Sequence, residues 1–519
     1  MLLFGYLGPK AVGMLGPLWI LGLGAIAGML LIGVFWALIL WLSLVPGMGR
    51  VRRAAAETWT AIREGTLFYV LIVACVLAGW GVLGSFLLRA PRDSLHILRS
   101  LTRLDAVGTT PSVATIPGSP QPTSPDDIVV PPPHAVPLSV LGEELRSLRI
   151  TTDQNISVSY DPKAELDSLA AFNVRADEPY MWRRRLDAKS LFGEGPVKAL
   201  YVRNRGADEA HVAVTTVTDV VYPEVRMIPI TAVALFGLFA VYFLQFTFAP
   251  RLSAIALATF KSQVAQPLFG IILLVGVVAL VLFIFIPYNT FGEDIKMLKD
   301  SGLTLIRVLG IFLAVWGAST TISEEIDDYT ALTILSKPIG RRSFVLGKFS
   351  GIAWTTALMF IVLGVWLLAM TSVKVIYDAR ETGLDVPTWQ SCYLEMASVV
   401  PGLVLGFMET MILASLSVAI STRLPMFANF VICFTVYVLG HLTPLIVQVT
   451  DARFEIVKFV GQLLATVFPN LEAFDLQTAM AGGLAVPPVY LFWTLLYCLL
   501  FSIIAMLLAL VLFEDRDLA

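Results

Sequence analysis

Nine apolar stretches of about 20 residues or more run through this chain and limit what it can fold into. An α-helix needs about 20 residues to cross roughly 30 Å of hydrocarbon. Charged residues make up only 14% of the 519 residues and hydrophobic residues 57%, against about 25% charged in an average soluble domain. We therefore predict an all-α polytopic membrane protein with spans at 18–45, 66–88, 227–248, 267–287, 303–322, 349–371, 397–421, 426–447 and 487–513.

A charged, water-soluble insert separates the second and third predicted spans. Its first part, 89–140, is rich in Pro, Ser and Thr, which is typical of an extended or disordered linker. Its second part, 141–226, alternates apolar and polar residues as half-buried strands do, and we predict a small β-rich domain there. The alternation is clearest at Ile156, Val158 and Tyr160, and again at Val212, Val214 and Thr216.

The distribution of arginine and lysine predicts an orientation, because cytoplasmic loops are enriched in both. Basic residues fill the loops after the first and fifth predicted spans. The N-terminus and residues 89–226 are then extracytoplasmic, the C-terminus is cytoplasmic, and the expected location is the plasma (inner) membrane. One cluster opposes this orientation, since four arginines follow the second span: Arg89, Arg92, Arg99 and Arg103. Long domains cross membranes largely regardless of charge, so the orientation stands.

Several functions are excluded by what the sequence lacks. The net charge of −3 shows no basic surplus for nucleic acid. No C-x-x-C pair or His/Glu/Asp cluster has metal-ligand spacing, so no metal site is indicated. The sequence contains no G-x-x-x-x-G-K-[ST] loop and no catalytic Ser/His constellation. We expect that the chain is not an enzyme and holds neither a cofactor nor ATP. The four isolated cysteines are Cys75, Cys392, Cys433 and Cys498.

Two ionisable residues fall inside predicted spans, Arg307 in the fifth and Glu409 in the seventh. Charges inside a membrane are costly, so each is a candidate functional residue. The alternative is a structural pair or a headgroup contact, since Arg307 lies only a few residues inside its span and its side chain could reach the headgroup region. His441, near the end of the eighth span, reads as a structural residue.

The segment from Ile322 to Lys348, between the fifth and sixth spans, carries the most information about function. Its first part has the periodicity of a short amphipathic helix, with Ser323 placed to cap it and four acidic residues in its first turns. Pro338 would end this helix. An ordinary solvated loop between two spans is the alternative interpretation.

The same segment resembles the signature of the permease subunits of type-2 ATP-binding-cassette exporters, similar to nitrous-oxide-reductase maturation and gliding-motility permeases. The resemblance lies in an acidic pair, a Leu-Ser-Lys-Pro run, an arginine pair and Gly347-Lys348, although Asp328-Tyr329-Thr330 replaces the usual acidic-Gly-Thr. Arg251–Gln266 resembles the family's amphipathic elbow helix, and Phe468–Leu476 resembles the segment before its last span. The likeness covers about 250–519, a six-helix permease core. The two-span extension 1–88, the insert and the third span at 227–249 lie outside it.

The resemblance implies transport, usually export, driven by a separate ATPase subunit that binds ATP and docks on 322–348. It also implies a second permease copy or homologue, and the spans imply contact with membrane lipids. The residues expected to couple the ATPase to the spans are Glu324, Glu325, Asp327, Asp328, Leu335, Lys337, Pro338, Arg341, Arg342 and Lys348. Two alternatives remain open: an ion-gradient-driven secondary transporter, and a membrane-anchored sensor or assembly protein.

Overall fold

The structure, a computed structural model, describes 8–43, 49–87, 91–119, 132–160, 171–184, 195–286, 293–323, 325, 340–383, 385–450, 459, 463, 468–476 and 486–514. These residues form two compact units. The membrane unit comprises Met1–Ala90 and Met227–Ala519, and the insert comprises Pro91–Arg226. The apolar stretch 456–468 is too short for a span and carries Lys458, so the sequence predicts an interfacial or half-inserted helix there. This stretch lies almost entirely outside the described residues.

Helices dominate the described part of the chain. In chain order they are α1 (Pro9–Ser43), α2 (Gly49–Glu64), α3 (Thr66–Leu87), α4 (Pro91–Thr102), α5 (Met227–Phe248), α6 (Pro250–Ala265), α7 (Pro267–Phe285), α8 (Asp294–Ala318), α9 (Arg341–Glu381), α10 (Trp389–Ala397), α11 (Val400–Ser421), α12 (Met426–Thr450) and α13 (Pro488–Glu514). Eight helical segments within the described residues are long and apolar enough to cross a membrane, and α12 adds a shorter apolar stretch, Met426–Leu442. Helices account for most of each of the nine predicted spans among the described residues, while nine crossings remain a prediction.

Helix α9 is the largest departure from the predicted lengths. The apolar run predicts a span at 349–371, but the helix continues in both directions and is 41 residues long. Its polar extensions have good helix formers and no proline, so hydropathy underestimates the helix while backbone propensity allows it.

Helix α11 lies at the centre of the core of the membrane unit and packs against α8, α9, α12 and α13. The amphipathic helix expected at Arg251–Gln266 is α6, which packs along α9. Glycines on α9 allow this approach, because a Cβ atom at Gly347 would lie 2.7 Å from the Cβ of Ile255. The buried face of α6 consists of Ser253, Ile255, Ala256, Thr259, Phe260 and Gln263.

Helices α1 and α3 also meet through glycine, and this contact gives the first prediction. A Cβ atom at Gly81 would lie 2.7 Å from the carbonyl carbon of Gly22, while one at Gly79 would meet nothing within 4 Å. Gly81→Ala is therefore expected to destabilise the protein by about 1–3 kcal/mol, because backbone cannot move aside as a side chain can. Gly79→Ala, the matched control, should be neutral or slightly stabilising. Thermal unfolding of both variants in detergent measures the difference, and equal midpoints would contradict the packing.

The insert contains two antiparallel four-stranded sheets, ordered β1-β8-β3-β6 and β2-β7-β4-β5. The predicted alternation holds in β8, where Val212, Val214 and Thr216 are buried. The linker prediction for 89–140 is wrong where helix α4 and strands β1 and β2 form. Strand β1 gains a full antiparallel register with β8 despite its turn-prone composition. The strands are β1 (Thr109–Ile116), β2 (His134–Leu141), β3 (Leu145–Thr152), β4 (Ile156–Ser159), β5 (Ala171–Val174), β6 (Tyr180–Arg183), β7 (Pro196–Asn204) and β8 (Ala210–Thr218).

One arginine that opposes the predicted orientation has its charge balanced within the insert. Arg103 donates a hydrogen bond from Nη2 to Oε2 of the buried Glu144 at 2.8 Å. This hydrogen bond raises the pKa of the Arg103 guanidinium above its usual value. Arg103 therefore counts for less in the charge balance of this loop than the sequence suggests.

Candidate functional site

A buried ion-pair network in the membrane unit joins the two charged residues that the sequence places inside spans. Nη1 of Arg307 on α8 lies 3.2 Å from Oε2 of Glu409 on α11. The Glu409 side chain is completely buried, and the Arg307 side chain is 7% exposed. Arg307 therefore forms a buried pair with Glu409, as the structural-pair alternative for its position expected.

Two further residues complete this network. The same Arg307 Nη1 lies 3.3 Å from Oδ2 of Asp475, and His441 Nε2 on α12 lies 3.5 Å from Oε1 of Glu409. The network, defined as Arg307, Glu409, His441 and Asp475, thus connects α8, α11, α12 and the segment preceding α13. The sequence singled out neither Asp475 nor its pairing, because Asp475 lies outside every apolar stretch.

The fold of the segment before α13 explains how Asp475 reaches Arg307. Leu471 donates its backbone N–H to the carbonyl of Gly440 at 3.2 Å, and a single 3-10 turn, Glu472–Phe474, follows. Leu471 and Phe474 are buried and hold the segment against the helices. Gly440 permits this approach, because a Cβ atom there would lie 2.8 Å from the Leu471 side chain. Asp475 is left 30% exposed, so the network reaches the surface of the membrane unit at this point.

The coupling segment predicted at 322–348 is described only at its two ends. Glu324, Asp327, Asp328, Leu335, Lys337 and Pro338 lie outside the described residues. Ser323 belongs to a π-helical turn, Ser319–Ser323, that continues α8, and its hydroxyl donates to the carbonyl of Leu424. The prediction that Ser323 caps a new helix is therefore not supported by its hydrogen bond.

An ion pair connects the two ends of the coupling segment. Nζ of Lys348, near the start of α9, lies 2.6 Å from Oε1 of Glu325. Lys348 is buried, and its ammonium group also lies 5.4 Å from the centre of the Phe344 ring. Glu325 therefore joins the described residues after α8 to the start of α9 and is not simply an exposed acidic charge, as the sequence suggested.

Arg341 and Arg342 lie at the exposed beginning of α9. Arg341 donates from Nη1 to the carbonyl oxygen of Glu514, the last residue of α13, at 2.6 Å. Arg341 therefore links the start of α9 to the end of α13.

Within the described residues, one acidic trio has the spacing to hold a metal ion: Asp294, Asp378 and Glu381. We assign no metal to it. Lys374 is buried, lies 3.5 Å from Asp294 and already supplies a positive charge to this group.

Comparison with known proteins gives no assignment, since no family model matches the chain and no curated protein matches it. The class rests on the structure alone: a mostly helical protein with several helices able to span a membrane and a small β-rich insert.

Proposed function

We propose that this chain is the permease subunit of an ATP-driven transporter, with a separate ATPase subunit docking on the coupling segment 322–348. The Glu325–Lys348 ion pair is the observation that carries the proposal. It joins the two described ends of the segment, so a force on the segment would reach the end of α8 and the start of α9 together. A buried ion pair of this kind resists separation, because either charge left alone in the interior is costly.

The packing of α6 on α9 adds support. An amphipathic helix held this closely against a long helix, through glycines on α9, provides a rigid base beside the proposed docking surface. The exposed Arg341 and Arg342 would contribute positive charge to that surface. In this proposal the complete transporter contains a second permease copy or homologue, ATP binds only to the partner, and the transport direction is export.

The docking proposal predicts a charge-dependent association. Asp327→Lys/Asp328→Lys reverses the acidic part of the coupling segment and is expected to reduce recovery of the ATPase several-fold at low salt, because charges at the edge of an interface mainly set association rate and salt dependence. Affinity purification in detergent, followed by identification of the bound subunits, measures the recovery. Glu325 is left intact in this variant because its charge stabilises the fold.

A matched control uses Glu381→Lys/Asp385→Lys, which makes the same change in charge at the exposed other end of α9. This control should recover the ATPase as the wild type does. Equal recovery from both double variants would remove the coupling segment from the proposal. ATP hydrolysis by the isolated chain would contradict the permease assignment itself.

A secondary transporter driven by an ion gradient is the second candidate, and the buried network favours it. Paired charges inside a membrane unit are typical of ion pathways. Reconstitution of the purified chain alone, with an imposed proton gradient and no ATPase, separates the two candidates.

A further inference from the structure

A neutral His441 and an ionised Glu409 lie next to each other but cannot form a hydrogen bond between them. The Nδ1 atom of His441 lies 3.0 Å from the backbone carbonyl oxygen of Tyr437. A carbonyl oxygen only accepts, so Nδ1 must carry the hydrogen. In a neutral imidazole the other nitrogen, Nε2, is then an acceptor with an exposed lone pair.

A second acceptor lies close to that nitrogen. His441 Nε2 lies 3.5 Å from Oε1 of Glu409, and neither atom has a hydrogen-bond partner within the described part of the chain. If no proton lies between them, Nε2 and Oε1 are two neighbouring acceptors that cannot hydrogen-bond to each other, and the Glu409 carboxylate is completely buried. A single proton on either Nε2 or Oε1 allows a hydrogen bond between the two atoms.

The net charge of the network also indicates one bound proton. Arg307 contributes one positive charge, while Glu409 and Asp475 contribute two negative charges. With His441 neutral, the network carries a net charge of −1, and a single additional proton makes it neutral. Net charge away from water is costly, so the neutral state is favoured in this environment.

We propose that His441 and Glu409 together bind one proton, held between Nε2 and Oε1. The proton forms a hydrogen bond between α12 and α11. Loss of the proton removes this hydrogen bond, leaves two acceptors next to each other and weakens the contact between the two helices. His441 is 21% exposed and Asp475 30% exposed, so the proton can arrive from the surface next to them. Besides this pair, the charged or titratable groups facing the site from α8, α12 and the segment before α13 are Asp300, Arg307, Tyr437, Glu472 and Asp475.

This proton site does not depend on an ATPase, and its test uses the full chain alone. His441 becomes the sole histidine when the three others, all in the insert, are replaced by asparagine: His96, His134 and His211. Nitrogen NMR of labelled histidine in this protein is expected to show Nδ1 protonated and Nε2 either protonated or hydrogen-bonded near pH 7. An Nε2 signal of a free lone pair, or the opposite tautomer, would overturn the proposal.

The second readout is the pH dependence of thermal unfolding. Unfolded Glu and His both lose their protons below about pH 7, so the folded protein holds a proton that unfolding releases. Raising the pH from about 7 to about 9 should therefore lower the unfolding midpoint of the wild type. Glu409→Gln should remove this pH-dependent decrease, because the amide N–H can donate to Nε2 and the network is neutral without the extra proton.

Glu395→Gln is the matched control. Glu395 forms an ion pair with Lys299 elsewhere in the membrane unit, and this variant should keep the wild-type decrease. A decrease in Glu409→Gln equal to that of the wild type would refute the shared proton. If Glu409→Gln does not fold, the nitrogen spectra of the sole-histidine protein decide the question.

Discussion

Replacing Arg307 with methionine is expected to remove most of the folded protein that can be purified in detergent. Glu409 and Asp475 would each lose the guanidinium that now lies within 3.3 Å of both. Deleting one partner of a buried ion pair costs about 3–5 kcal/mol. That is a large share of the roughly 5–15 kcal/mol that stabilises a typical protein. The yield of monodisperse protein after stepwise heating measures the effect.

Lys296→Met is the control for this prediction, because it removes a cation from the same helix at an exposed position. Lys296 pairs with Glu293 at 2.7 Å, but both side chains are well exposed, and such surface pairs contribute little. The control should match the wild type. An Arg307→Met protein with a wild-type midpoint would show that the network contributes nothing to folding.

Glu325→Lys is expected to have an effect of similar size, because it places a second ammonium group beside the buried Lys348. The attraction at 2.6 Å becomes repulsion, and the cost is again about 3–5 kcal/mol. The charge swap Glu325→Lys/Lys348→Glu restores an attractive pair and should recover most of the lost stability. Heating followed by size-exclusion chromatography compares the single variant, the swap and the wild type.

The swap also separates folding from docking. A swapped protein that is stable but recovers less ATPase would show that the negative charge at 325 contacts the partner as well as Lys348. A single variant as stable as the swap would contradict the ion pair. The comparison therefore shows which losses of ATPase recovery follow from unfolding.

The helical part of the fold could be predicted because apolar runs of this length have few stable alternatives. Helix ends were less predictable, because hydropathy marks the part of α9 that is apolar enough to cross hydrocarbon and not the point where its backbone stops being helical. Strand β1 was missed because its proline, serine and threonine are typical of loops. Its stability depends on pairing with β8, about a hundred residues later, and no local pattern carries that information.

The candidate site was predictable one residue at a time. Arg307 and Glu409 stand out in sequence because charges are rare inside apolar stretches. Neither apolar stretch predicts the contact between Arg307 and Glu409, since it depends on how α8 and α11 pack. Asp475 gives no such signal, because an aspartate outside the spans is ordinary. The role of Glu325 was misjudged for a related reason, as its partner Lys348 lies beyond the acidic run.

Helices α8 and α9 run antiparallel and are cross-braced near both ends. Asp294 and Lys374 pair at one end, and Glu325 and Lys348 pair just beyond the other. Sliding one helix past the other by a single turn, about 5.4 Å, would separate both ion pairs. The two buried lysines would then lose these acidic partners, which is costly. The two helices therefore form a strut that resists shear. With α9 about 60 Å long, a tilt of a few degrees at one end becomes a displacement of several ångströms at the other.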